Sequence, residues 1–412
     1  MNKSFRKIIF VGFGNIFNAV LGFAFLSVVA KTLDLESFGK YALITTLLVA
    51  VSRLIDFGTN SVYVAKSIST EDKSLTDIFF TLKIILFLLS IPVSIFILNI
   101  LHLGNLNLII IFILGLLAYA INYTFNSFFQ KKEKFTQLVF LNTLPAIIKG
   151  IFAYLIFFHR LKADLPYTFS VFSLSVFSSS LLIFFLPKEF KKLHINFSRA
   201  KQILKEAFPA GISLLIYEGW PSIANSIAKI AKDFSNVGIF SIAEKIANIL
   251  ALGSLSVFTV LLPKNSMRKK ENKEYDFKEI YIISILILLA AFVGTFISKI
   301  FVSKFLGDKF SDSLPILGLL IFASAFTSIH SFMEHYFYIE EKTRLIMYIN
   351  VGKLVLFLIL SSILVPILSL KGLALANIIA AIFALLLTIL FVSTNQKRKY
   401  KDIEISLKPQ EL

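Results

Sequence analysis

The stretch 372–394, GLALANIIAAIFALLLTILFVST, contains no charged side chain, and 346–368 before it contains only Lys353. A helix needs about 20 apolar residues to cross the hydrocarbon core of a bilayer, so each of these stretches predicts one membrane span. The same pattern recurs along the chain. It predicts twelve spans, at 8–30, 41–64, 78–101, 106–128, 137–158, 166–187, 208–230, 238–262, 280–302, 314–338, 346–368 and 372–394.

The composition also excludes a soluble protein. Hydrophobic residues make up 57% of the 412 residues, and phenylalanine alone occurs 45 times. Soluble domains contain about 45–50% apolar residues, because their surfaces must carry polar side chains. The chain has no cysteine, which excludes disulfides, cysteine nucleophiles and thiolate metal sites. An all-α integral membrane protein is therefore predicted.

Basic residues are divided unequally between the two sets of connections. The N-terminus, the even-numbered connections and the C-terminal tail hold 27 of the 42 Lys and Arg residues, whereas the odd-numbered connections hold 8. Cytoplasmic loops carry the excess of Lys and Arg, so both termini are predicted to be cytoplasmic. The net charge of +17 is therefore mostly a signal of topology, and it does not indicate nucleic-acid binding.

The twelve spans divide at a basic connection into two halves of six. The predicted organisation is an N-terminal lobe at 1–190, a basic cytoplasmic linker at 191–207, a C-terminal lobe at 208–394 and a basic cytoplasmic tail at 395–412. Since both halves begin on the cytoplasmic side, they would be parallel repeats.

One short motif recurs at equivalent places in the two halves. The segment FGKYA at 38–42 opens the second span, and VGIFS at 237–241 opens the eighth. In both segments an apolar residue precedes a glycine, and a short acidic turn lies before them. Glycine permits a tight approach where the chain re-enters the membrane, which is the physical reason to expect it twice.

Polar and charged residues inside the spans lie on helical faces. In the seventh span Glu218, Ser222, Asn225 and Lys229 are spaced by four, three and four residues, so they share one face. Charges inside a bilayer are costly and usually face a cavity or a partner, so these faces predict a substrate cavity. Its predicted lining residues are Asn15, Asn18, Arg53, Asp56, Lys149, Glu218, Asn225, Lys229, Glu244, Lys245 and Lys353.

Some of these residues allow a second interpretation. Arg53 and Asp56 would simply neutralise one another inside the bundle, and the two asparagines of the first span would hydrogen-bond between helices. Lys83 lies near the predicted cytoplasmic face and would extend to the water there. The candidates for ion coupling are Asp56, Glu218, Glu334 and His330, although a histidine in a helix is more commonly a packing residue.

The spans contain seven basic and four acidic residues, so the predicted interior is cationic. A cationic cavity suits an anionic substrate such as a phosphate or diphosphate head group. The connections are too short for a soluble catalytic domain, and no G-x-x-x-x-G-K-[ST] loop occurs. Transport driven by an ion gradient or by the substrate gradient is therefore predicted, rather than an enzyme reaction.

Two regions resemble a known family. The segment LDLESFGKY at 33–41, together with RLIDFG at 53–58, resembles the opening of bacterial Wzx-type flippases for O-antigen and capsule repeat units. The segment VGIFSIAEK at 237–245 looks like the corresponding segment of the second half. These flippases belong to the MATE-like MOP exporter superfamily. One departure is Lys66, where such proteins often have arginine; lysine keeps the charge but loses bidentate phosphate binding.

The resemblance implies two six-helix lobes around a cation-lined cavity. It implies that the chain moves an undecaprenyl-diphosphate-linked oligosaccharide across the bacterial inner membrane by alternating access. No cofactor is implied, and a proton or a sodium ion is the candidate coupling ion. The matched site positions are Arg53, Asp56, Glu244 and Lys245. The implied partners are the lipid-linked oligosaccharide, membrane lipids, a polysaccharide polymerase and a chain-length regulator.

Two alternatives within the superfamily stay open: an ion-coupled multidrug or metabolite exporter, and a flippase for the peptidoglycan lipid precursor. A membrane-embedded glycosyltransferase or polymerase would need a sizeable extramembrane loop, which the short connections disfavour.

Overall fold

The computed structural model describes residues 3–69, 72, 74–231, 233–249, 277–340 and 342–407, and every long regular element in these ranges is a helix. The helices are α1 (Lys3–Thr32), α2 (Leu35–Asp56), α3 (Thr59–Ser69), α4 (Ser74–Ile100), α5 (Leu106–Lys131), α6 (Phe135–Phe157), α7 (Leu165–Leu174, continued as a 3₁₀-helix over Ser175–Phe185), α8 (Ala200–Ala231), α9 (Phe234–Ala247), α10 (Lys278–Phe301), α11 (Leu314–Ile339), α12 (Thr343–Leu368) and α13 (Leu370–Leu407).

In the described ranges nine helical segments are long and apolar enough to cross a membrane. They are Leu35–Ser67, Ser74–Ile100, Leu106–Lys131, Phe135–Phe157, Leu165–Phe185, Lys278–Leu306, Asp308–Glu334, Arg344–Leu368 and Leu370–Asn395. Helix α1 adds a shorter apolar segment at Phe17–Thr32. The predicted all-α membrane fold is confirmed. The second part of the predicted span 238–262 and most of the connection 263–278 lie outside the described residues.

Helix α10 shows most clearly which surface meets lipid. Its apolar side chains are exposed along the whole helix, among them Ile282, Leu289, Phe292 and Phe296. An apolar surface of this extent would drive aggregation in water, whereas in a bilayer it faces hydrocarbon. The outward side of α10 is therefore a lipid-facing surface.

The predicted span 41–64 is interrupted, which separates α2 from α3. Phe57 has φ 38° and Gly58 has φ 70°, so two successive residues take the left-handed conformation. A Cβ atom on Gly58 would lie 2.8 Å from the carbonyl oxygen of Ala207 and from the amide nitrogen of Gly211. Glycine is required here because the backbone turn packs directly against the backbone of α8.

The described chain forms two compact units. The first contains Met1–Lys245 and Ile300–Pro315, and the second contains Ile246–Lys299 and Ile316–Leu412. In the first unit α2 packs along α8, and α1 packs along α6; in the second, α12 packs along α13. Helix α8 already begins at Ala200, so the predicted linker 191–207 is helical in its last part. The division into two six-helix lobes stays a prediction.

A hydrogen bond and an ion pair join the segment before α8 to the start of α4. The amide of Asn196 donates a 2.7 Å hydrogen bond to Thr81 Oγ1, and Arg199 Nη2 lies 2.6 Å from Asp72 Oδ2. Hydrogen bonds from Ser74 and Arg199 lower the pKa of Asp72 to about 2, so this ion pair is formed at neutral pH. These contacts hold together the starts of two helices that carry charged side chains deeper in the span.

Candidate substrate and ion-coupling sites

Four side chains of alternating charge form a line at the end of α2. This line, here called the charge chain, consists of Lys83, Asp56, Arg53 and Glu218. Lys83 Nζ lies 3.6 Å from Asp56 Oδ1, and Arg53 Nη1 lies 3.7 Å from Asp56 Oδ2. At the other end, Arg53 Nη2 donates a 3.0 Å hydrogen bond to Glu218 Oε1. Two cations and two anions therefore compensate one another within one network.

The charge chain is sealed at one end and accessible at the other. The exposed fraction of the side chain is 3% for Lys83 and 8% for Asp56. It rises to 21% for Arg53 and 31% for Glu218. A solute that enters from the accessible end therefore meets Glu218 and Arg53, whereas Lys83 and Asp56 form the buried support behind them.

The position of Lys83 corrects a sequence-based prediction. Its ammonium group does not extend to water: Nζ donates hydrogen bonds of 3.1 Å to the carbonyl oxygen of Ile55 and 3.0 Å to Thr59 Oγ1. Because α2 ends at the break before α3, the carbonyl oxygen of Ile55 lies in the last turn of the helix, where it can accept a hydrogen bond from Lys83. Lys83 lies nine residues after the start of α4 at Ser74, about 14 Å along a helix, which is too deep for extension to that surface.

Arg53 is held in a fixed orientation by an aromatic ring. Its guanidinium carbon lies 4.8 Å from the ring centre of Tyr123, and the hydroxyl of Tyr123 is 2.9 Å from Ser52 Oγ. This cation–π contact restrains the position of the guanidinium group. Neither Tyr123 nor Ser52 was identified from the sequence, because only the fold brings α5 beside α2. The predicted neutralisation of Arg53 by Asp56 describes one contact of this larger network.

A second group of charges is less well compensated. Lys149 lies with Nζ 5.1 Å from the ring centre of Phe172 and within electrostatic range of Lys245. In the described part of the chain, neither lysine has a carboxylate oxygen within the 4.0 Å of an ion pair. Glu244, beside Lys245 in sequence, is buried, and its Oε2 has no hydrogen-bond partner there. We call these three residues the Lys149 group.

The remaining predicted residues of α8 face neighbours in the same unit. Asn225 is fully buried and donates a 3.4 Å hydrogen bond to Thr46 of α2, whereas its Oδ1 has no partner among the described residues. The Nζ atom of Lys229 lies 4.6 Å from the ring centre of Phe234. Glu218 and Asn225 thus both face α2, whereas Lys229, predicted on the same face, contacts the first residue of α9.

The structure describes the side chain of only one of the two asparagines of the first span. Asn18 is partly buried, and its Oδ1 has no hydrogen-bond partner in the described residues. The side chain of Asn15 lies outside the described part of the structure.

The second unit holds a separate titratable cluster. His330 Nε2 lies 3.1 Å from Glu334 Oε1, and His330 Nδ1 is 2.9 Å from Thr388 Oγ1. Asn350 donates a 3.1 Å hydrogen bond to the same Glu334 oxygen, and Lys353 Nζ donates one of 3.3 Å to the Thr327 hydroxyl. Ion coupling through this cluster stays a prediction. In the described residues no group of three His, Asp or Glu side chains is arranged to hold a metal ion.

Comparison with known proteins identifies the family. A family model described as polysaccharide biosynthesis protein matches residues 4–269, more than half of the chain. The chain belongs to this polysaccharide biosynthesis family. A curated relative is the capsular polysaccharide biosynthesis protein CapF of Staphylococcus aureus, which is 26% identical over 386 residues, covering 90% of this chain and 95% of the relative.

Solved structures show which fold this family member has. The lipid II flippase MurJ in an inward closed conformation matches with a TM-score of 0.73 and 17% identity, covering 93% of this chain and 87% of MurJ. An inward-facing multidrug resistance MATE transporter of the MOP superfamily matches with a TM-score of 0.65 and 16% identity, covering 92% and 96%. The predicted MATE-like fold is confirmed by these structures. The family match confirms the resemblance to polysaccharide biosynthesis proteins, and the family member is a multi-pass membrane protein.

Proposed function

We propose that this family member is a flippase for an undecaprenyl-diphosphate-linked oligosaccharide repeat unit, working by alternating access. The observation that carries the proposal is the Lys149 group, in which Lys149 and Lys245 have no carboxylate oxygen in ion-pair distance among the described residues. Glu244 is the single acid of the group, and it is buried. Cationic groups inside a membrane protein are costly unless anions compensate them, and one acid does not compensate two lysines. The diphosphate of the lipid carrier supplies such an anion, and the membership of the polysaccharide biosynthesis family indicates sugar as the cargo.

The lipid and sugar parts of this substrate place different demands on the protein. The lipid tail stays in hydrocarbon, so only the diphosphate and the sugars need a polar path. No covalent bond is made or broken, and the described polar groups have only to bind and release. A peptidoglycan precursor flippase would meet the same diphosphate, and the likeness to MurJ keeps it as the second candidate.

A deletion strain separates these two candidates. We expect loss of surface polysaccharide, with lipid-linked repeat units accumulating on the cytoplasmic face, measured by surface glycan staining and by mass spectrometry of extracted lipids. Normal surface glycan in the deletion strain would contradict the proposal. Inability to obtain the deletion, with arrest of cell-wall synthesis on depletion, would instead support the peptidoglycan precursor.

Replacing Lys149 by alanine tests the diphosphate-binding role directly. We expect export of repeat units in the complemented deletion strain to fall about tenfold, because a charge-assisted contact to phosphate is lost. Stability should change little, because Lys149 has no ion-pair partner among the described residues and loses only its contact with the ring of Phe172. Export is measured as surface glycan per unit of membrane-inserted protein.

Lys299→Ala is the matched control, since Lys299 is an exposed lysine of α10 and the same charge is removed. Equal export by the wild type and the Lys149→Ala variant, at equal membrane insertion, would show that Lys149 does not bind the substrate.

A further inference from the structure

The guanidinium group of Arg53 is only partly used. It offers five N–H donors. Nη2 bonds to a single oxygen of Glu218, and Nη1 lies 3.7 Å from Asp56 Oδ2, outside good hydrogen-bond distance. Nε is buried and has no hydrogen-bond partner among the described residues. The Nε–Nη2 edge of the Arg53 guanidinium group therefore binds one oxygen, from Glu218, whereas a phosphate that binds in a bidentate manner would supply two.

Glu218 is not the only group that positions this edge. The ring of Tyr123 stacks on the guanidinium group at 4.8 Å, and Tyr123 is itself fixed by its hydroxyl contact with Ser52. Removing Glu218 therefore leaves the donors of Arg53 pointing in the same direction. The site is preorganised for an anion, whichever anion occupies it.

The two acids beside Arg53 differ in how readily they can leave. Asp56 is buried and also faces Lys83, and it accepts a 3.3 Å hydrogen bond from the amide of Asn60. Glu218 is the most exposed member of the charge chain, and one of its oxygens makes the contact. Pro221, one turn further along α8, has no N–H to donate to the turn that contains Glu218, which lowers the resistance of the helix to bending there.

We propose that Glu218 is an internal surrogate for the substrate diphosphate, occupying Arg53 until a diphosphate oxygen displaces it. This inference rests on the proposed function. Displacement replaces an ion pair between α2 and α8 by an ion pair between α2 and the substrate. Substrate binding then breaks the Arg53–Glu218 ion pair between α2 and α8. An anion must therefore bind Arg53 more tightly than Glu218 does before the two helices can separate there.

Binding of inorganic diphosphate to the purified protein tests the exchange. Glu218→Gln removes the competing charge and keeps the side-chain size, so we expect it to tighten the apparent Kd about tenfold by calorimetry. Glu189→Gln is the matched control in the same unit, because it removes one negative charge from an exposed ion pair, in which Glu189 lies 2.6 Å from Lys132. Its Kd should equal that of the wild type.

A second readout reports on α8 itself. Trp220 is the only tryptophan of the chain and lies two residues after Glu218. Diphosphate should change its fluorescence in the wild type and in Glu189→Gln. The change should be smaller in Glu218→Gln, where no ion pair remains to be broken. Arg53→Gln, or Arg53→Lys if the first variant does not fold, should weaken diphosphate binding at least tenfold.

The outcomes separate the inference from the proposed function. An unchanged or weaker Kd in Glu218→Gln, with diphosphate binding that still depends on Arg53, would overturn the exchange and leave the flippase proposal intact. Absence of diphosphate binding in the folded wild type and in every variant would contradict both. A tighter Kd in Glu189→Gln as well would show that only the overall charge matters, and it would overturn the specific role of Glu218.

Discussion

Replacing Gly39 by alanine is expected to abolish export and to destabilise the protein strongly. A Cβ atom at this position would overlap the carbonyl oxygen of Phe234 and would lie 3.1 Å from the amide nitrogen of Gly238. The neighbours are backbone atoms at the start of α9, which no change of rotamer moves aside. Forcing a methyl group into such a contact costs roughly 3 kcal/mol or separates the two helix starts.

Thermal unfolding in detergent and glycan export in cells measure the two effects. Gly22→Ala and Gly294→Ala are matched controls, because a Cβ at either position meets nothing within 4 Å. Each control should unfold at or slightly above the wild-type temperature, since alanine is favoured over glycine in helices by about 1 kcal/mol. If Gly39→Ala unfolds and exports like these controls, the close backbone contact is not required.

The sequence predicted the need for Gly39 and Gly238 but not their relation to each other. The repeated motif indicated a close approach at the start of the second and eighth spans. The structure shows that the two glycines meet across the same contact, since a Cβ on Gly238 would lie 2.9 Å from the carbonyl oxygen of Leu35. A pattern along one chain records which residues permit close packing. It does not record which two segments pack together.

Counting charges within spans predicted a cationic interior without locating it. The charge chain is balanced, because its two bases, Arg53 and Lys83, pair with two acids, Asp56 and Glu218. The surplus in the first unit consists instead of Lys149, Lys245 and Lys229, with Glu244 as the remaining acid. The i, i+3 spacing of Arg53 and Asp56 was accessible to sequence reasoning because helix geometry fixes it. The contact from Arg53 to Glu218 was not, because it joins residues 165 positions apart.

The break between α2 and α3 was also not predicted from the sequence. The hydropathy of 41–64 is continuous, so one span was predicted. Gly58 alone was no signal, because single glycines are common in membrane helices. The break became intelligible only when α8 was found packed against it, and it determines where Lys83 binds.

Replacing Asp56 by asparagine is expected to be among the most destabilising single changes in the first unit. Asp56 is the shared anion of Lys83 and Arg53, and Lys83 is buried. Removing one partner of a buried ion pair leaves an uncompensated charge, which costs about 3–5 kcal/mol. We expect a clear fall in unfolding temperature in detergent and a lower amount of inserted protein.

A second substitution shows whether the uncompensated charge is the cause. Lys83→Met in the Asp56→Asn background removes the stranded ammonium group, and most of the lost stability should return, because both buried partners are then uncharged. Glu36→Gln is the matched control at an exposed ion pair, in which Glu36 lies 2.7 Å from Lys40, and it should have little effect. If the double variant is no more stable than Asp56→Asn alone, Asp56 acts through its hydrogen bond to the start of α3 rather than through Lys83. In that case the charge chain would be a set of neighbours rather than a coupled network.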